Sequence, residues 1–210
     1  MVQEHAVVTE RNEVAEGMYV LRFGSTFIAR TARPGQFVNV RATAGVTPLL
    51  RRPFSICRVE DGCVELVFNV IGAGTRILAS KRSGDKLDVL GPLGTPYGFD
   101  DSFDTAIMVA GGLGVAPFPF LTQFALSYGK QIESFVGAGT GQKLWSEHLR
   151  NVHPATDDGS KGFRGTVVAH LDEFLQKERV KNPKIFGCGP TKMLQSLSEL
   201  AKRHDIECEL

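Results

Sequence analysis

Glycine-rich turns that follow apolar, strand-like runs are the segments of this sequence most suited to chemistry. The first turn follows the apolar run 106–110, and its special residues are Gly111, Gly112, Gly114 and Pro117. A strand, a glycine turn and a helix in this order direct backbone N–H groups and the positive end of the helix toward an anion. Glycine also lets a phosphate approach the backbone, because no Cβ is in the way. The segment therefore predicts a phosphate site, with a plain tight connection as the alternative.

A second turn of the same kind lies near the end of the sequence. It follows the run 184–186 and consists of Gly187, Cys188, Gly189 and Pro190. Ligands of open parallel sheets bind at the carboxyl ends of the strands, so the two turns would line one crevice. Proline suits the first turn of the helix that follows. Cys188 would lie at the lip of the crevice, either against a ligand or only as a small buried apolar residue.

Two arginines precede a strand in the first half of the sequence, where Arg51 and Arg52 are followed by Pro53, Phe54 and Ser55. Arginine makes planar, bidentate contacts to phosphate. Phe54 lies two residues after Arg52, on the same side of the strand, where its flat ring could stack on a ligand. Ser55 offers a hydroxyl to a heteroatom. The alternative is a pair of solvated arginines at a strand end.

A third glycine turn interrupts this β-rich half and leads into a short helix. Its residues of interest are Gly72, Gly74 and Thr75. A helix N-terminus of this composition can cap itself and bind an anion. As plain loop chemistry it needs no ligand, but it shares its half of the chain with Arg52.

The standard dinucleotide fingerprint fits the first turn imperfectly. Its third glycine is replaced by Pro117, and the acid expected about 20 positions later would be Glu133. Glu133 falls near the start of its strand rather than at the end, where a ribose would lie. The strand ends instead in the residues 136–139, Val-Gly-Ala-Gly. A standard Rossmann domain is therefore disfavoured, whereas nucleotide binding is not.

The elements that position these residues change character near residue 100. Short strands with turns between them predict a small antiparallel barrel in the first half, at 6–11, 18–23, 36–40, 53–59, 63–70 and 86–90. Strands that alternate with helices predict a parallel sheet with helices on both faces in the second half. The strands there are expected at 106–110, 132–136 and 184–186, and the helices at 116–126, 143–151, 171–177 and 191–203.

Composition excludes several functions. The 24 basic residues nearly balance the 23 acidic ones, so no broad field would attract nucleic acid. No apolar stretch reaches the roughly 18–20 residues of a membrane span, and no signal peptide or metal-ligand spacing is visible. An Asp61-Gly62 turn would set Cys63 opposite Glu60 and Cys57 opposite Leu66, so no disulfide is expected there. A cytoplasmic location fits best.

Together these segments resemble the ferredoxin–NADP reductase superfamily of flavoproteins over almost the whole chain. In that superfamily an arginine, an aromatic or apolar residue and a serine open a strand of the flavin barrel, which Arg52, Phe54 and Ser55 match. The implied fold is an N-terminal antiparallel, FAD-binding β-barrel at 1–100. A C-terminal α/β, NAD-binding domain with a parallel sheet follows at 101–210.

The resemblance also implies roles for the three turns. Gly72, Gly74 and Thr75 would contact the flavin pyrophosphate, and the turn 111–117 would bind the nicotinamide nucleotide. The motif Cys188-Gly189-Pro190 would lie beside the nicotinamide. Ser55 and Cys188 are then the residues nearest the reaction, in which hydride passes from nicotinamide C4 to flavin N5 across a cleft between the domains. Such a reaction needs no pair of catalytic carboxylates.

Within the superfamily the sequence most resembles the electron-transfer subunits of heteromeric dihydroorotate dehydrogenases, enzymes of pyrimidine biosynthesis. The segments that carry this likeness are RRPFSI, GAGTRIL, LGPLG with Gly98-Phe99, and TDDGSKGFRGTV at 156–167. The resemblance implies that NADH reduces FAD and that electrons then pass to a dihydroorotate dehydrogenase catalytic subunit. The preference for NADH over NADPH rests on the lack of an arginine directly after residues 136–137.

One departure from that family concerns its [2Fe–2S] centre, which four cysteines near the C-terminus bind. The present sequence ends at 206–210 with Cys208 as its one cysteine there, so the four-cysteine ligand set is absent. Either the sequence is truncated or this member transfers electrons without iron–sulfur. The alternatives to a dehydrogenase subunit are a stand-alone NAD(P)H:flavin or ferredoxin-type oxidoreductase and a flavin-free, nucleotide-binding structural subunit.

Overall fold

The structure, a computed structural model, describes residues 1–43, 45 and 47–210. These residues form two compact units, 1–97 and 98–210. The first unit consists of β-strands and two short helices, whereas strands and helices alternate in the second. No helix in the described ranges is long and apolar enough to cross a membrane.

The first unit is a closed barrel of six antiparallel strands. Its strands are β1 (Val2–Ala15), β2 (Met18–Gly24), β3 (Phe37–Arg41), β4 (Arg52–Glu60), β5 (Cys63–Asn69) and β6 (Lys86–Leu93). Around the barrel they follow the order β1-β2-β5-β4-β3-β6, and β6 pairs with β1 to close it. Each strand overlaps one predicted from the sequence, so the antiparallel barrel is confirmed.

In each of the two hairpins of the barrel, a tight turn connects the paired strands. Gly17 has a φ of 69° between β1 and β2, and Asp61 and Gly62 have φ values of 51° and 73° between β4 and β5. Turns with positive φ match the right-handed twist of the paired strands. The second turn sets Cys63 opposite Glu60, as predicted.

The predicted pairing of Cys57 with Leu66 is wrong by one residue. A bulge between Ile56 and Arg58 sets Ile56 opposite Leu66 and leaves Cys57 in the extra position. Such a bulge places two residues of one strand against one of its partner. None of the four cysteines forms a disulfide within the described residues, which agrees with the expectation for Cys57 and Cys63.

Two short helices, α1 (Thr26–Thr31) and α2 (Ala73–Ala79), connect strands of the barrel. The sequence predicts α2 but not α1. The Ser25 hydroxyl caps α1 by accepting a hydrogen bond from the backbone N–H of Ile28 at 3.2 Å. Ile28 is fully buried and anchors α1. A helix of six residues shows too little periodicity to be recognised in a sequence.

The second unit is a parallel six-stranded sheet. Its strands are β7 (Thr105–Gly111), β8 (Gln131–Ala138), β9 (Val152–Thr156), β10 (Phe163–Arg164), β11 (Pro183–Cys188) and β12 (Glu207–Glu209). They lie in the order β10-β9-β8-β7-β11-β12, and every neighbouring pair is parallel. The helices are α3 (Phe118–Ser127), α4 (Val167–Lys177) and α5 (Thr191–Arg203).

Helices cover both faces of this sheet. Ile107 and Val109 of β7 point to one face, where they share a core cluster with Leu171 of α4 and with buried residues of α5. Met108 points to the other face, where the Thr122 hydroxyl of α3 donates to its Sδ at 3.4 Å. The predicted parallel sheet with helices on both faces is confirmed.

The predicted helix at 143–151 is wrong. A short 3-10 turn at Gly141–Lys143 is followed by an irregular loop, in which His148 and Asn151 have φ values of 63° and 45°. The apolar residues that imitate a helical face, Leu144, Trp145 and Leu149, are buried and anchor the loop. The loop returns the chain to the start of β9, a strand that the sequence pattern did not reveal, as it did not reveal β10 and β12.

Lys184 of β11 holds three segments of the second unit together. The residue is 3% exposed, and its ammonium pairs with Glu207 at 2.7 Å and with Glu209 at 2.8 Å. It also donates to the carbonyl oxygen of Gly98 at 3.0 Å. Burial alone would lower the pKa of Lys184, but the hydrogen bonds from Lys184 to both carboxylates outweigh burial and raise it.

We expect Lys184→Met to lower the free energy of unfolding by about 3 kcal/mol, because it leaves the Glu207 and Glu209 carboxylates uncompensated beside the sheet. Urea unfolding at neutral pH measures this loss. Lys177→Met is the matched control, because its ion pair with Glu173 is exposed and should matter little. Equal stability of the two variants would contradict a structural role for Lys184.

Candidate functional site

The two arginines before β4 have different surroundings. Arg51 donates to the Asp88 carboxylate at 2.7 Å and to the carbonyl oxygens of Asp88 and Asn39 at 3.0 and 3.4 Å. Burial alone would raise the pKa of Asp88, but hydrogen bonds from Arg51 and Gln3 hold it below its usual value. Arg51 is therefore committed to joining β3 and β6.

Arg52 instead lies along the glycine turn that begins α2. A Cβ on Gly74 would be 3.1 Å from Nε of Arg52 and 3.6 Å from its Cγ and Cζ. The guanidinium also donates to the carbonyl oxygen of Leu50. The structure thus brings together Arg52 and Gly74, two residues that the sequence separates by more than 20 positions.

Thr75 shapes the same turn from within. Its hydroxyl accepts hydrogen bonds from the backbone N–H groups of Ile71 and Gly72 at 3.0 and 3.1 Å, and it donates to the Gly72 carbonyl oxygen at 3.1 Å. A hydroxyl has one donor and two acceptor positions, so all of its hydrogen-bonding capacity is used. The Thr75 side chain therefore supports the turn. Only the backbone of Thr75 remains for the predicted contact with a ligand.

The residues after Arg52 divide between the inside and the outside of the barrel. Phe54 is 9% exposed and packs against Phe68, with 5.6 Å between the ring centroids. Little of the Phe54 ring can therefore stack on a ligand. Ser55 is half-buried opposite Phe37, and its hydroxyl has no protein partner within the described residues. Pro53 is exposed.

The two glycine turns of the second unit, 111–117 and 187–190, lie at the same edge of the sheet. β7 and β11 are neighbours, and Cys188 pairs with Ala110 at their carboxyl ends. A Cβ on Gly111 would approach Sδ of Met193 to 2.6 Å and Cδ of Pro190 to 2.9 Å. The structure therefore brings together the turns 111–117 and 187–190, which the sequence predicts to line one crevice.

The packing of these turns requires glycine at three further positions. A Cβ on Gly114 would overlap the carbonyl group of Cys188. Gly189 has a φ of 159°, and a Cβ there would approach Cε of Met193 to 2.8 Å. At Gly187 a Cβ would approach Leu197 to 2.6 Å. These glycines are fixed by packing within the protein, whether or not they also contact a ligand.

The remaining residues of the two turns face outward or begin helices. Gly112 has a φ of 55°, and nothing lies within 4 Å of where its Cβ would be. Pro117 stands at the start of α3, and Pro190 occupies the N-cap position of α5. Helices therefore begin after both turns, as predicted.

Cys188 is half-buried at the carboxyl end of β11. Burial raises the pKa of its thiol above the usual value of about 8.5. The thiol therefore keeps its proton at neutral pH. It can pack against a ring or donate a weak hydrogen bond, but it is not poised as a nucleophile.

Glu133 does not lie at the carboxyl edge of the sheet, where the two glycine turns are. It is opposite Ile107 near the start of β8, and its carboxylate contacts Nε2 of His153 at 2.7 Å. The sequence analysis missed the acid that does reach this edge, Asp157, whose Oδ2 lies 4.0 Å from where a Cβ of Gly139 would be. The signal for it was the motif at 156–167, but only the pairing of β9 with β8 shows where it lies.

The described residues do not fit an iron–sulfur centre. Within those ranges no group of three or more His, Cys, Asp and Glu side chains could hold a metal ion. Burial, with a smaller effect of Glu209, raises the pKa of Cys208 to about 11. Metal binding needs the thiolate, so we assign no step to such a centre.

A barrel followed by a parallel sheet with glycine turns at its carboxyl edge defines a ferredoxin reductase-like protein. The structure superposes with a TM-score of 0.85 on a chain of the NADH-dependent reduced ferredoxin–NADP oxidoreductase, at 25% identity, covering 97% of this chain and 74% of that one. It also resembles phthalate dioxygenase reductase, with a TM-score of 0.76 and 16% identity over 99% and 67% of the two chains. No family model matches the sequence.

Sequence comparison narrows this class. Relatives from Bacillus cereus (strain Q1) and Bacillus anthracis (strain A0248) are each 32% identical over 205 residues, which cover 94% of this chain and 78% of theirs. Both are named dihydroorotate dehydrogenase B (NAD(+)), electron transfer subunit. The chain belongs to this family of electron transfer subunits.

We expect Gly114→Ala to destabilise the protein by about 3 kcal/mol, because its Cβ would force the turn away from the Cys188 carbonyl group. Gly112→Ala is the matched variant. It meets open space and should cost only about 1 kcal/mol for its left-handed backbone. Urea unfolding of both variants measures the difference, and a Gly114→Ala variant as stable as Gly112→Ala would show that the two turns are not in tight contact.

Proposed function

We propose that this protein takes hydride from NADH onto bound FAD and exchanges the electrons with a dihydroorotate dehydrogenase catalytic subunit. The proposal rests on its family, whose Bacillus members are named as electron transfer subunits of the NAD(+)-linked enzyme. The single structural observation that carries it is the packing of Arg52 along Gly74. This packing joins a cation and a glycine turn in a barrel of the ferredoxin reductase type.

The barrel unit is the site proposed for FAD. Arg52 supplies the positive charge for the pyrophosphate, and the absence of a side chain at Gly74 makes room for the Arg52 side chain. At Gly72 nothing lies within 4 Å of where a Cβ would be, so a phosphate can approach the first turn of α2 there. Thr75 holds that turn in shape through its three hydrogen bonds. Of the next three residues of β4, the exposed Pro53 borders the flavin, Phe54 reaches it only with its backbone and the small exposed part of its ring, and the hydroxyl of Ser55 binds a heteroatom of the flavin ring.

The second unit is the site proposed for NADH. Gly111, Gly112 and Gly114 form the turn before Pro117 and α3, where backbone N–H groups and the positive helix end favour a pyrophosphate. The opposite wall is formed by the second turn, whose residues are Gly187, Cys188, Gly189 and Pro190. Because these turns touch, the position of the nucleotide is set by packing rather than by a flexible loop.

The cofactors, when bound, supply the hydride donor and acceptor, so the protein has to bind and orient them. The protonated Cys188 thiol can border the nicotinamide without adding a charge. The Ser55 hydroxyl can donate or accept one hydrogen bond as the charge of the flavin ring changes. No general base is required of the protein.

Two further parts of the proposal concern the partner of the protein and its location in the cell. The partner is a catalytic subunit that oxidises dihydroorotate, so the protein acts in pyrimidine biosynthesis and as part of a heteromer. The location proposed is the cytoplasm, because none of the four cysteines forms a disulfide within the described residues, as is usual in a reducing compartment.

The absorption spectrum of the purified protein, followed by anaerobic addition of NADH, tests the proposal. We expect a yellow protein whose flavin absorption bleaches with NADH. Mixing with the catalytic subunit should then yield dihydroorotate-dependent reduction of NAD⁺ that neither subunit gives alone. A colourless protein that takes up no FAD would indicate a structural subunit, and flavin reduction without coupling would indicate a stand-alone reductase.

The arginine pair allows a controlled test of FAD binding. We expect Arg52→Ala to weaken FAD binding about tenfold or more, since a charge-assisted contact to phosphate contributes roughly 1.5–3 kcal/mol. NADH affinity of the flavin-reconstituted variant should change little. Arg51→Ala should retain FAD and lose stability instead, because Arg51 pairs with Asp88. Equal flavin content in wild type and Arg52→Ala would contradict the assignment.

For Cys188→Ser we expect slower reduction of bound FAD by NADH, because the smaller, more strongly hydrated hydroxyl changes the surface against the nicotinamide. FAD content should equal that of the wild type. Stopped-flow reduction across pH 6–9 is the measurement. The reduction rate of the wild type should show no titration at the ordinary pKa of a thiol, because burial raises the pKa of Cys188. An unchanged reduction rate in the variant would exclude contact with the nicotinamide.

A further inference from the structure

Two histidines of the second unit, His153 and His170, lie in an aromatic cluster that the proposed function leaves without a role. The ring of His153 in β9 stacks on Phe135 of β8, with 4.5 Å between the ring centroids. The ring of His170 in α4 stacks on Phe163 of β10, with 4.7 Å between the centroids and 7° between the planes. His170 also meets Phe135 edge-on at 5.4 Å. The cluster therefore joins α4 to the strands β8, β9 and β10.

The surroundings of His170 suit the neutral form of its imidazole. Nδ1 is buried and has no hydrogen-bond partner within the described residues. A neutral imidazole carries one N–H group, whereas the imidazolium carries an N–H group on both nitrogens. Protonation would therefore bury a charged donor without a partner, which is costly. The face of the Phe163 ring would attract a cation, but this attraction is weaker than that cost.

The nearest titratable groups add to this asymmetry. His153 faces His170 with 5.9 Å between the ring centroids, and its Nε2 contacts the Glu133 carboxylate at 2.7 Å. A proton held between His153 and Glu133 opposes a second one on His170. Glu173 would favour a charge on His170, but it is exposed and pairs with Lys177. Burial lowers the pKa of His170, His153 lowers it further, and Glu173 offsets only a smaller part.

The other charged side chains of the packed elements are engaged elsewhere. The Asp172 carboxylate of α4 contacts Arg203 and His204 of α5 at 2.9 Å each. The side-chain stem of Arg164 in β10 packs along the turn that follows β9. His170 is also the fourth residue of α4, near the positive end of the helix, which disfavours a further cation. The fold therefore holds His170 neutral.

α4 begins directly on the strand that adjoins the turn 111–117. Val167, its first residue, covers Gly137 of β8, where a Cβ would approach Cβ of Val167 to 2.8 Å. Gly137 is opposite Gly111 of that turn. His170 follows Val167 by three residues, so the two side chains lie on the same side of the helix. A displacement of α4 that relieved a charge on His170 would also lift Val167 from Gly137.

We propose that His170 makes nucleotide binding sensitive to pH, because protonation of its imidazole loosens α4 from the sheet and weakens the site beside the turn 111–117. This inference rests on the proposed function, which takes that turn as the nucleotide site. A loosened chain binds the proton with the ordinary histidine pKa of about 6.5, whereas the packed His170 binds it more weakly. Stability and affinity are therefore full above this pH and fall as the pH decreases below it.

Titration calorimetry of the flavin-loaded protein with ADP-ribose at pH 7.5 and at pH 5.5 tests this inference without turnover. We expect the affinity of the wild type to be about threefold or more lower at pH 5.5, an effect within the tenfold per pH unit that one linked proton allows. His170→Phe keeps a ring against Phe163 but cannot be protonated, so its affinity should be the same at both pH values. His170→Gln is a second non-titrating variant, should the larger ring disturb the packing.

His148→Asn is the matched control. His148 is an exposed histidine of the same unit, asparagine tolerates its φ of 63°, and the variant should retain the pH dependence of the wild type. Equal wild-type affinity at both pH values, or a pH dependence that persists in both His170 variants, would overturn the inference and leave the proposed function intact. Loss of the dependence in His153→Phe alone would assign it to the other histidine and overturn the inference as well. Failure of the wild type to bind ADP-ribose at pH 7.5 would overturn the proposed function and this inference with it.

Discussion

The second unit depends on one steric constraint, the lack of room for a Cβ where the turn after β7 meets the end of β11. A side chain at Gly114 would overlap the Cys188 carbonyl group, and one at Gly111 would meet Pro190 and Met193. Contact at this distance holds two helix N-termini beside one edge of the sheet. Because the two turns are in close contact, the nucleotide site proposed at this edge is shaped by close packing, which is a rigid feature of protein interiors.

The barrel gives two adjacent arginines different surroundings. Arg51 has a carboxylate and two carbonyl oxygens as partners, so its charge is spent on joining strands. Arg52 follows directly, yet it lies along Gly74 and donates to the Leu50 carbonyl oxygen, and it has no ion pair within the described residues. A cation without an ion-pair partner in the described part of the chain is suited to an anionic ligand. The sequence alone therefore does not show which of two adjacent arginines supports the fold and which one is available to a ligand.

Much of the fold follows from local sequence, because the barrel strands alternate and the helices after Pro117 and Pro190 begin at proline. The wrong predictions arise where pairing with a strand distant in the sequence determines the local structure. Cys57 occupies a bulge that depends on β5, and β9 is recognisable only beside β8. Leu144, Trp145 and Leu149 have helical spacing but anchor a loop, since burial alone does not specify a helix. The turns of the site were likewise predictable, whereas the position of Asp157 beside Gly139 was not.

The hydroxyl of Thr75 has a consequence for the binding of a ligand at its turn. Its three hydrogen bonds are all made within the turn at 71–75, so the turn keeps its shape without help from a ligand. Ordering a loop upon association costs free energy, and a turn that is already ordered avoids that cost. At the site proposed for FAD, binding therefore would not have to order this turn first.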